Sequence, residues 1–151
     1  MKVISGGQTG ADQGGLVAAR QLGIATGGWA PKGFRTEAGP CPELGSVYGL
    51  VEHESPLYPP RTAMNVADAD ATAWFGTIGS PGYRCTKRAA GDYEKPFRVI
   101  TSVEALIAFI EEFNVGVLNV AGNRASKNPG IHRFTAEIVR DALSLLGKGD
   151  L

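Results

Sequence analysis

Residues 115–127, VGVLNVAGNRASK, decide the fold class of this chain. Residues 115–120 form a nearly continuous apolar run interrupted by Asn119, which predicts a buried strand. Residues 121–127 are small or polar, and Asn128 followed by Pro129 is typical of an N-cap and a first helical position. A buried strand that runs through a small-residue loop into a helix is the repeating unit of parallel α/β sheets.

The same succession occurs at two other places in the chain. Residues 3–5 lead into the loop GGQTGAD at 6–12, and residues 73–75 lead into GTIGSPG at 76–82. Loops that follow parallel strands gather at the carboxyl edge of the sheet, where ligands bind. Glycines let backbone N–H groups approach an anion, and the helix N-terminus behind them adds a partial positive charge. Three such loops predict a phosphate-binding or nucleotide-binding site.

Hydrophobic periodicity between these loops predicts an alternation of strands and helices. Strands are predicted at 2–5, 24–29, 71–75, 97–100 and 115–120, with a further short one at 47–53. Helices are predicted at 12–22, 61–68 and 83–90. A capping box at Thr101 and Glu104 predicts the start of another helix, and the last helix is predicted to run from Pro129 to Gly147. The last helix should bury the face of Phe134, Ile138, Ala142 and Leu145.

This alternation implies right-handed crossovers and a parallel sheet covered by helices. We therefore expect residues 1–151 to form a single Rossmann-like three-layer α/β domain with a mostly parallel sheet flanked by helices. Residues 31–60 contain prolines at 31, 40, 42, 56, 59 and 60 and predict a long ordered loop. Loops of that length are usually functional or mobile.

The composition is that of a soluble globular protein, with 43% hydrophobic and 20% charged residues. Fifteen basic and fifteen acidic side chains give a formal net charge of zero, whereas a domain that binds nucleic acid is usually clearly basic. No apolar stretch approaches the length that spans a bilayer, and Gly6 and Gly7 interrupt the first apolar run too early for a signal peptide. We expect a cytoplasmic protein with no nucleic-acid or membrane partner.

The cysteines and histidines show no pattern of a metal site. Cys41 and Cys85 each lack a second cysteine or a histidine at metal-ligand spacing, so we expect two reduced thiols. His53 and His132 are isolated, and structural or solvated roles are expected for them. The sequence therefore predicts no metal ligands.

The first glycine loop carries groups that suit a ligand. Gln8 and Thr9 offer an amide and a hydroxyl between glycines, which leave room for a ligand. Asp12 either caps the following helix or accepts a hydrogen bond from a sugar hydroxyl. The loop contains neither G-x-G-x-x-G nor the Lys-Ser/Thr ending of a Walker A motif, so a P-loop NTPase is not expected.

The other two glycine loops supply hydroxyls and cations. Thr77 and Ser80 lie between glycines and suit phosphate oxygens, although Ser80 could instead cap the next helix. Arg124 and Lys127 add a planar fork and a point charge beside Ser126. A solvated surface loop is the alternative interpretation of residues 122–127.

Residues 28–37, GWAPKGFRTE, add aromatic and basic side chains. Trp29 and Phe34 could stack on a base or a pterin ring with Lys32 and Arg35 nearby, although a core tryptophan with solvated charges is equally consistent. The candidate ligand-binding residues are Gly6, Gly7, Gln8, Thr9, Gly10, Asp12, Trp29, Lys32, Arg35, Gly76, Thr77, Gly79, Ser80, Gly122, Arg124, Ser126 and Lys127.

Together these motifs resemble the putative molybdenum carrier family, over nearly the whole chain. The resemblance is carried by GGQTGAD at 6–12, GWAPKGFRTE at 28–37, GTIGS at 76–80, LNVAG at 118–122, Ser126-Lys127 and Pro129-Gly130-Ile131. That family looks like a circularly permuted branch of the SLOG superfamily of Rossmann-like nucleotide-binding proteins, which includes the lonely-guy phosphoribohydrolases and a molybdenum cofactor carrier. In such a permutation, residues 122–127 correspond to the loop that opens the usual SLOG chain.

The resemblance implies a binding protein for a phosphorylated, nucleotide-like small molecule, with molybdopterin (the molybdenum cofactor) or a nucleotide as ligand. A molybdenum cofactor would be held through its pterin and phosphate. A homo-oligomer is also expected.

Two departures from the family pattern make binding a stronger expectation than hydrolysis. Asn123 and Ala125 stand where the family more often has Pro and Glu, and residues 83–87 lack the acid that phosphoribohydrolases carry there. Two alternatives stay open, a nucleotide N-glycosidase and a nucleotide-sensing module. Catalytic residues are not assigned, although Asp12, Glu37 and Asp92 are the acids near the predicted loops.

Overall fold

The computed structural model describes residues 1–149, and a five-stranded sheet runs through its centre. The elements in chain order are β1 (Lys2–Ile4), α1 (Ala11–Gln21), β2 (Ala25–Gly27), β3 (Trp29–Ala30), a 3₁₀ turn (Lys32–Phe34), β4 (Arg35–Thr36), β5 (Gly39–Pro40), α2 (Glu43–Ser46), β6 (Val51–Glu52), α3 (Tyr58–Asp68), β7 (Ala71–Phe75), α4 (Pro81–Asp92), β8 (Phe97–Val99), α5 (Val103–Phe113), β9 (Val117–Gly122) and α6 (Ile131–Gly149).

The five central strands are parallel and lie in the order β2-β1-β9-β7-β8. The last strand of the chain, β9, therefore lies in the middle, with Val3 of β1 opposite Leu118 and Ala73 of β7 opposite Val120. If the chain were counted from β9, the sheet order would read 3-2-1-4-5, as in Rossmann folds. The topology is that of a Rossmann-like sheet whose first strand has moved to the end of the chain, as a circular permutation requires.

Helices cover both faces of this sheet, which confirms the predicted three-layer architecture. Because strand side chains alternate, Val3, Leu118 and Val120 point to one face, where they pack with the buried faces of α1, α5 and α6. The other face lies under α3 and α4 and is more polar. There Asn119 donates a hydrogen bond to Thr72 Oγ1 (3.2 Å), with both side chains buried.

The predicted strand at 24–29 is wrong in one respect, because it divides at Gly28. Gly28 has a φ of 124°, and a Cβ there would collide with the carbonyl oxygen of Ser5. The chain leaves the sheet at this point, and Trp29 pairs with Val51 in a separate two-stranded sheet. The close approach of two backbones therefore ends β2 early.

Two helix starts also differ from prediction. Ser102 caps α5 by accepting a hydrogen bond from the Ala105 N–H (3.1 Å), so the capping box at Thr101 is wrong by one residue. The last helix begins at Ile131 rather than Pro129, because Asn128 lies in a turn whose carbonyl accepts from the Ile131 N–H.

The last helix also extends further and presents its apolar face differently. It runs through Gly149, past the end predicted at Gly147. Of the predicted buried face, Ile138 and Ala142 are buried, but Phe134 and Leu145 are exposed. The buried stripe is instead completed by residues adjacent in the helix, including Val139 and Leu143.

The predicted loop at 31–60 is interrupted by the short elements β4, β5, α2 and β6, and its last three residues belong to α3. Residues 31–57 form a small wall beside α1. Leu44 and Leu50 are buried against Leu16 of α1 and Ala30 of β3, with Phe34 at their edge. This packing fixes the β4–β5 hairpin near the carboxyl edge of the sheet. No helix in the described part of the chain is long and apolar enough to cross a membrane.

Candidate functional site

A cavity of about 470 Å³ opens at the carboxyl edge of the sheet, where the strand order reverses around β9. This is the position at which open α/β sheets bind ligands, and the volume is within the range of small-molecule sites. Its walls come from α3, α4 and the loops after β1, β7 and β9. The predicted site residues that line it are Gly6, Gln8, Asp12, Thr77, Ser80, Gly122, Arg124 and Lys127.

Two helix N-termini lie at this cavity. Helix α3 runs into β7 and α4 runs out of it, so both begin at the carboxyl edge. Tyr58 opens α3, and Ser80 caps α4 by accepting a hydrogen bond from the Tyr83 N–H (3.1 Å). Pro59 and Pro60 in the first turn of α3, and Pro81 in that of α4, have no N–H to offer a ligand. Both helix ends still carry partial positive charge, which favours an anionic ligand.

Asp12 faces the cavity and does not cap α1. The N-cap position is Gly10, and the Asp12 carboxylate accepts a hydrogen bond from the Gln8 N–H (3.1 Å). Burial raises the pKa of Asp12 to about 6, although the positive charges of Arg61 and Arg124 act in the opposite direction. A carboxyl group with this pKa exchanges protons near neutral pH and can accept or donate a hydrogen bond to a ligand.

Arg61 and Gln8 present buried donors that the protein itself leaves unpaired. The two side chains are 9% and 6% exposed and line the cavity. Arg61 Nη2 lies 3.9 Å from an Asp12 oxygen, yet Arg61 Nε and Gln8 Nε2 have no hydrogen-bond partner within residues 1–149. Each unpaired buried donor costs about 1–3 kcal/mol.

Gly6 makes room for the buried guanidinium. A Cβ at this position would collide with Arg61 Nε and Cζ. The first glycine of the loop is therefore required by the approach of a protein side chain to the backbone. Burial lowers the pKa of Arg61, and the neighbouring Asp12 carboxylate partly counteracts this.

Three guanidinium groups surround the ring of Tyr58. The Cζ atoms of Arg35, Arg61 and Arg124 lie 5.0, 5.3 and 5.4 Å from the ring centroid. Tyr58 itself lines the cavity. The sequence prediction missed both Tyr58 and Arg61. The signal that could have indicated them is YPPR at 58–61, where two prolines open a helix between an aromatic and a basic residue.

Asn123 fixes the geometry of the loops after β7 and β9. Its Oδ1 atom accepts hydrogen bonds from the Thr77 N–H (2.7 Å), the Thr77 hydroxyl (3.1 Å) and Asn128 Nδ2 (3.0 Å). Gly76 has a φ of 126°, and a Cβ there would collide with the Asn123 side chain. Asn123 therefore holds two of the three predicted loops together.

Glu37 links the loop after β1 to the loop after β9, outside the cavity. Its carboxylate accepts hydrogen bonds from the hydroxyls of Thr9 and Ser126 and from the Ser126 N–H (3.1 Å). These contacts, those of Ser126 first, lower the pKa of Glu37. The hydroxyls predicted to face a phosphate thus bind a carboxylate of the protein.

The aromatic platform predicted at Trp29 lies elsewhere. The Trp29 indole donates to Asp68 (2.9 Å) and meets His53 edge to face at 6.0 Å, and Lys32 is exposed. Asp92 ends α4, at the far end of the helix from the cavity. The predicted residues that do not line the cavity are Gly7, Thr9, Gly10, Trp29, Lys32, Arg35, Gly76, Gly79 and Ser126.

No group of three or more His, Cys, Asp or Glu side chains within residues 1–149 is arranged to hold a metal ion. Cys41 and Cys85 are both free, and Cys85 lines the cavity.

The permuted strand order and the polar cavity at its reversal point define a permuted Rossmann-like α/β protein. The model of the circularly permuted YpsA SLOG family matches residues 3–143, and the chain belongs to this family. The crystal structure of the putative molybdenum carrier protein from Syntrophus aciditrophicus SB is similar, with 38% identity, coverage of 94% of both chains and a TM-score of 0.86. A comparison with curated proteins finds no match.

Proposed function

We propose that this protein binds and carries a phosphorylated, nucleotide-like small molecule. The observation that carries the proposal is the cavity at the strand reversal, where the buried donors of Gln8 and Arg61 lack partners. Native proteins pair nearly all buried polar groups, so two side chains that line one cavity and carry unpaired donors support a binding role for that cavity. The family match and the cavity volume support the same conclusion.

We place the phosphate of the ligand at the first turn of α4. Thr77, Ser80 and Gly82 line the cavity there, and Lys127 approaches from the loop after β9. Pro81 has no N–H and the Tyr83 N–H is bonded to Ser80, so the helix end supplies partial positive charge and the Gly82 N–H, and the lysine supplies a full charge. This assignment uses the loops after β7 and β9 for the role that their sequences predict.

The organic part of the ligand then lies against Asp12, Gln8 and Arg61. A carboxyl acceptor beside two unpaired donors suits sugar hydroxyls or the amide edge of a base or pterin. The likeness to the molybdenum carrier protein makes molybdopterin a cargo that fits this chemistry. The protein would then hold the cofactor through its pterin and phosphate.

Mass spectrometry of the ligand that co-purifies with the protein tests this proposal directly. We expect a small phosphorylated compound, and we expect titration calorimetry with AMP and other nucleoside monophosphates to detect binding. The control variant Arg20→Gln should bind these nucleotides as the wild type does, because Arg20 is an exposed arginine on α1 whose guanidinium donates to a single carbonyl. Absence of a co-purified compound and of binding to any phosphorylated probe would contradict the proposal.

A second candidate function, hydrolysis of a nucleotide N-glycosidic bond, is favoured by the position of Asp12 alone. A carboxyl with a pKa near 6 in the cavity is suited to acid–base chemistry. Water would add to the anomeric carbon while the base leaves with its bonding electrons and takes up a proton. Because residues 83–87 contain no acid, we expect little or no release of free base from nucleoside monophosphates. Robust turnover that Asp12→Asn abolishes would make the protein an enzyme.

A further inference from the structure

The arginine cluster around Tyr58 carries more positive charge than the surrounding residues neutralise. Arg35 comes from β4, Arg61 from α3 and Arg124 from the loop after β9, so three separate segments converge on one ring. Arg61 has Asp12 at 3.9 Å, but within residues 1–149 no carboxylate oxygen lies within 4 Å of Arg35 or Arg124. Attraction to the face of Tyr58 offsets only part of the mutual repulsion.

The position of the cluster points to an anion. Tyr58 is the first residue of α3, so the positive end of that helix dipole lies among the same three guanidinium groups. Arg61 is nine-tenths buried, lines the cavity and has an unpaired Nε donor. An oxyanion at this place would accept hydrogen bonds from the guanidinium groups and reduce the repulsion between them.

This place differs from the phosphate position at α4. The α4 position is formed by Thr77, Ser80 and Lys127, none of which contributes to the cluster around Tyr58. Arg61 and Arg124 line the cavity, whereas Arg35 lies outside its lining, so a second positively charged place lies at the α3 end of the cavity. One monophosphate can neutralise one of these two places.

We propose that Arg35, Arg61 and Arg124 form a second anion subsite around Tyr58, so that the ligand carries a second phosphate-like group. The ligand class is then a nucleotide with more than one phosphate, for which a nucleoside diphosphate is the simplest probe. This inference rests on the proposed function, because it assigns the first phosphate to α4. Arg35, which the β4–β5 hairpin supplies, becomes a specificity-determining residue.

Crystals soaked in inorganic phosphate test the subsite. We expect two bound anions, one at the first turn of α4 and one among the three arginines. Arg35→Gln should lose the second anion and keep the first. The matched control is Arg20→Gln, because the Arg20 guanidinium donates to the Val47 carbonyl (3.2 Å) much as that of Arg35 donates to the Pro56 carbonyl (3.1 Å).

The outcomes of the soak separate the two proposals. An anion at α4 alone overturns the second subsite and leaves the proposed function standing. An anion among the arginines alone supports the subsite and overturns the phosphate position at α4. Two anions that both persist in Arg35→Gln overturn the role given to Arg35, and crystals without an anion at either place contradict both proposals.

Calorimetric titration with AMP and ADP tests whether the second group belongs to the ligand. We expect ADP to bind about tenfold more tightly than AMP, which corresponds to one charge-assisted contact of about 1.4 kcal/mol. Arg35→Gln should remove most of this difference and change the affinity for AMP by less than about twofold. Arg20→Gln should preserve it. Equal affinities for AMP and ADP, or equal losses for both in Arg35→Gln, would overturn the inference.

Discussion

The two faces of the central sheet are built from alternate residues of the same strands, yet one is an apolar packing face and the other is polar and borders the cavity. On the face under α1, α5 and α6, Leu118 and Val120 are fully buried among apolar side chains. On the face under α3 and α4, Asn119 is buried beside a cavity whose polar groups are incompletely paired. The first face stabilises the fold, and the second leaves donors and charge for a ligand. Changes on the two faces should therefore separate stability from binding.

The largest expected effect is on the apolar face. Leu118→Ala removes a fully buried side chain from the central strand and leaves a cavity, so the free energy of unfolding should fall by about 3–5 kcal/mol. Urea denaturation measures this change. The affinity of the folded protein for AMP should stay within about twofold, because Leu118 points away from the binding cavity. A loss below about 1 kcal/mol would show that the two faces do not differ in this way.

The next effect concerns the pH dependence of stability on the polar face. The pKa of Asp12 rises from 3.8 to about 6 on folding, so between these values the native state holds a proton that the unfolded state has lost. Stability therefore falls as pH rises from about 4 to 6, by about 3 kcal/mol at most, and this contribution is constant above that window.

Asp12→Asn isolates this contribution from the other carboxyl groups of the protein. The variant lacks the titrating group but keeps Glu37 and Asp70, whose pKa values are lowered by hydrogen bonds. Denaturation of both proteins at several pH values should show wild type losing stability relative to Asp12→Asn as pH rises to 6. If the stabilities of the two proteins changed with pH in parallel, the pKa of Asp12 would not be raised on folding.

Arg61→Met should weaken binding by more than it changes stability. The methionine fills part of the space of a buried guanidinium that has an unpaired donor, and Asp12 can become protonated when the charge is removed. We expect AMP affinity to fall by about 2–3 kcal/mol and stability at pH 7 to change by less than about 1 kcal/mol. A large loss of stability with normal affinity would place Arg61 with the structural residues.

The apolar face could be predicted from sequence more completely than the polar one. The run around Leu118 specifies a buried strand by its pattern alone, and the strand–loop–helix repeats specify a parallel sheet. The order of the strands was not predicted, since periodicity does not determine which strand lies in the middle. The division at Gly28 was missed because it depends on Ser5, a residue distant in sequence.

The polar face was predicted by residue type but not by direction. Gln8, Asp12 and Arg124 reach the cavity, whereas the hydroxyls of Thr9 and Ser126 turn to Glu37. A glycine loop shows where a ligand can approach, but neighbouring segments determine which side chains face it.

The smallest expected effect is that of Arg124→Ala, which tests the charged rim of the polar face. Arg124 is only partly buried and has no carboxylate within 4 Å in the described residues, so its removal should change the free energy of unfolding by no more than about 0.5 kcal/mol. It lines the cavity beside Tyr58, where a charge-assisted contact to the second phosphate-like group of a ligand such as ADP is worth about 1.5–3 kcal/mol. Calorimetric titration and thermal melts of the variant measure both quantities. Unchanged affinity would make Arg124 a surface residue and would restrict the binding function of this face to its buried groups.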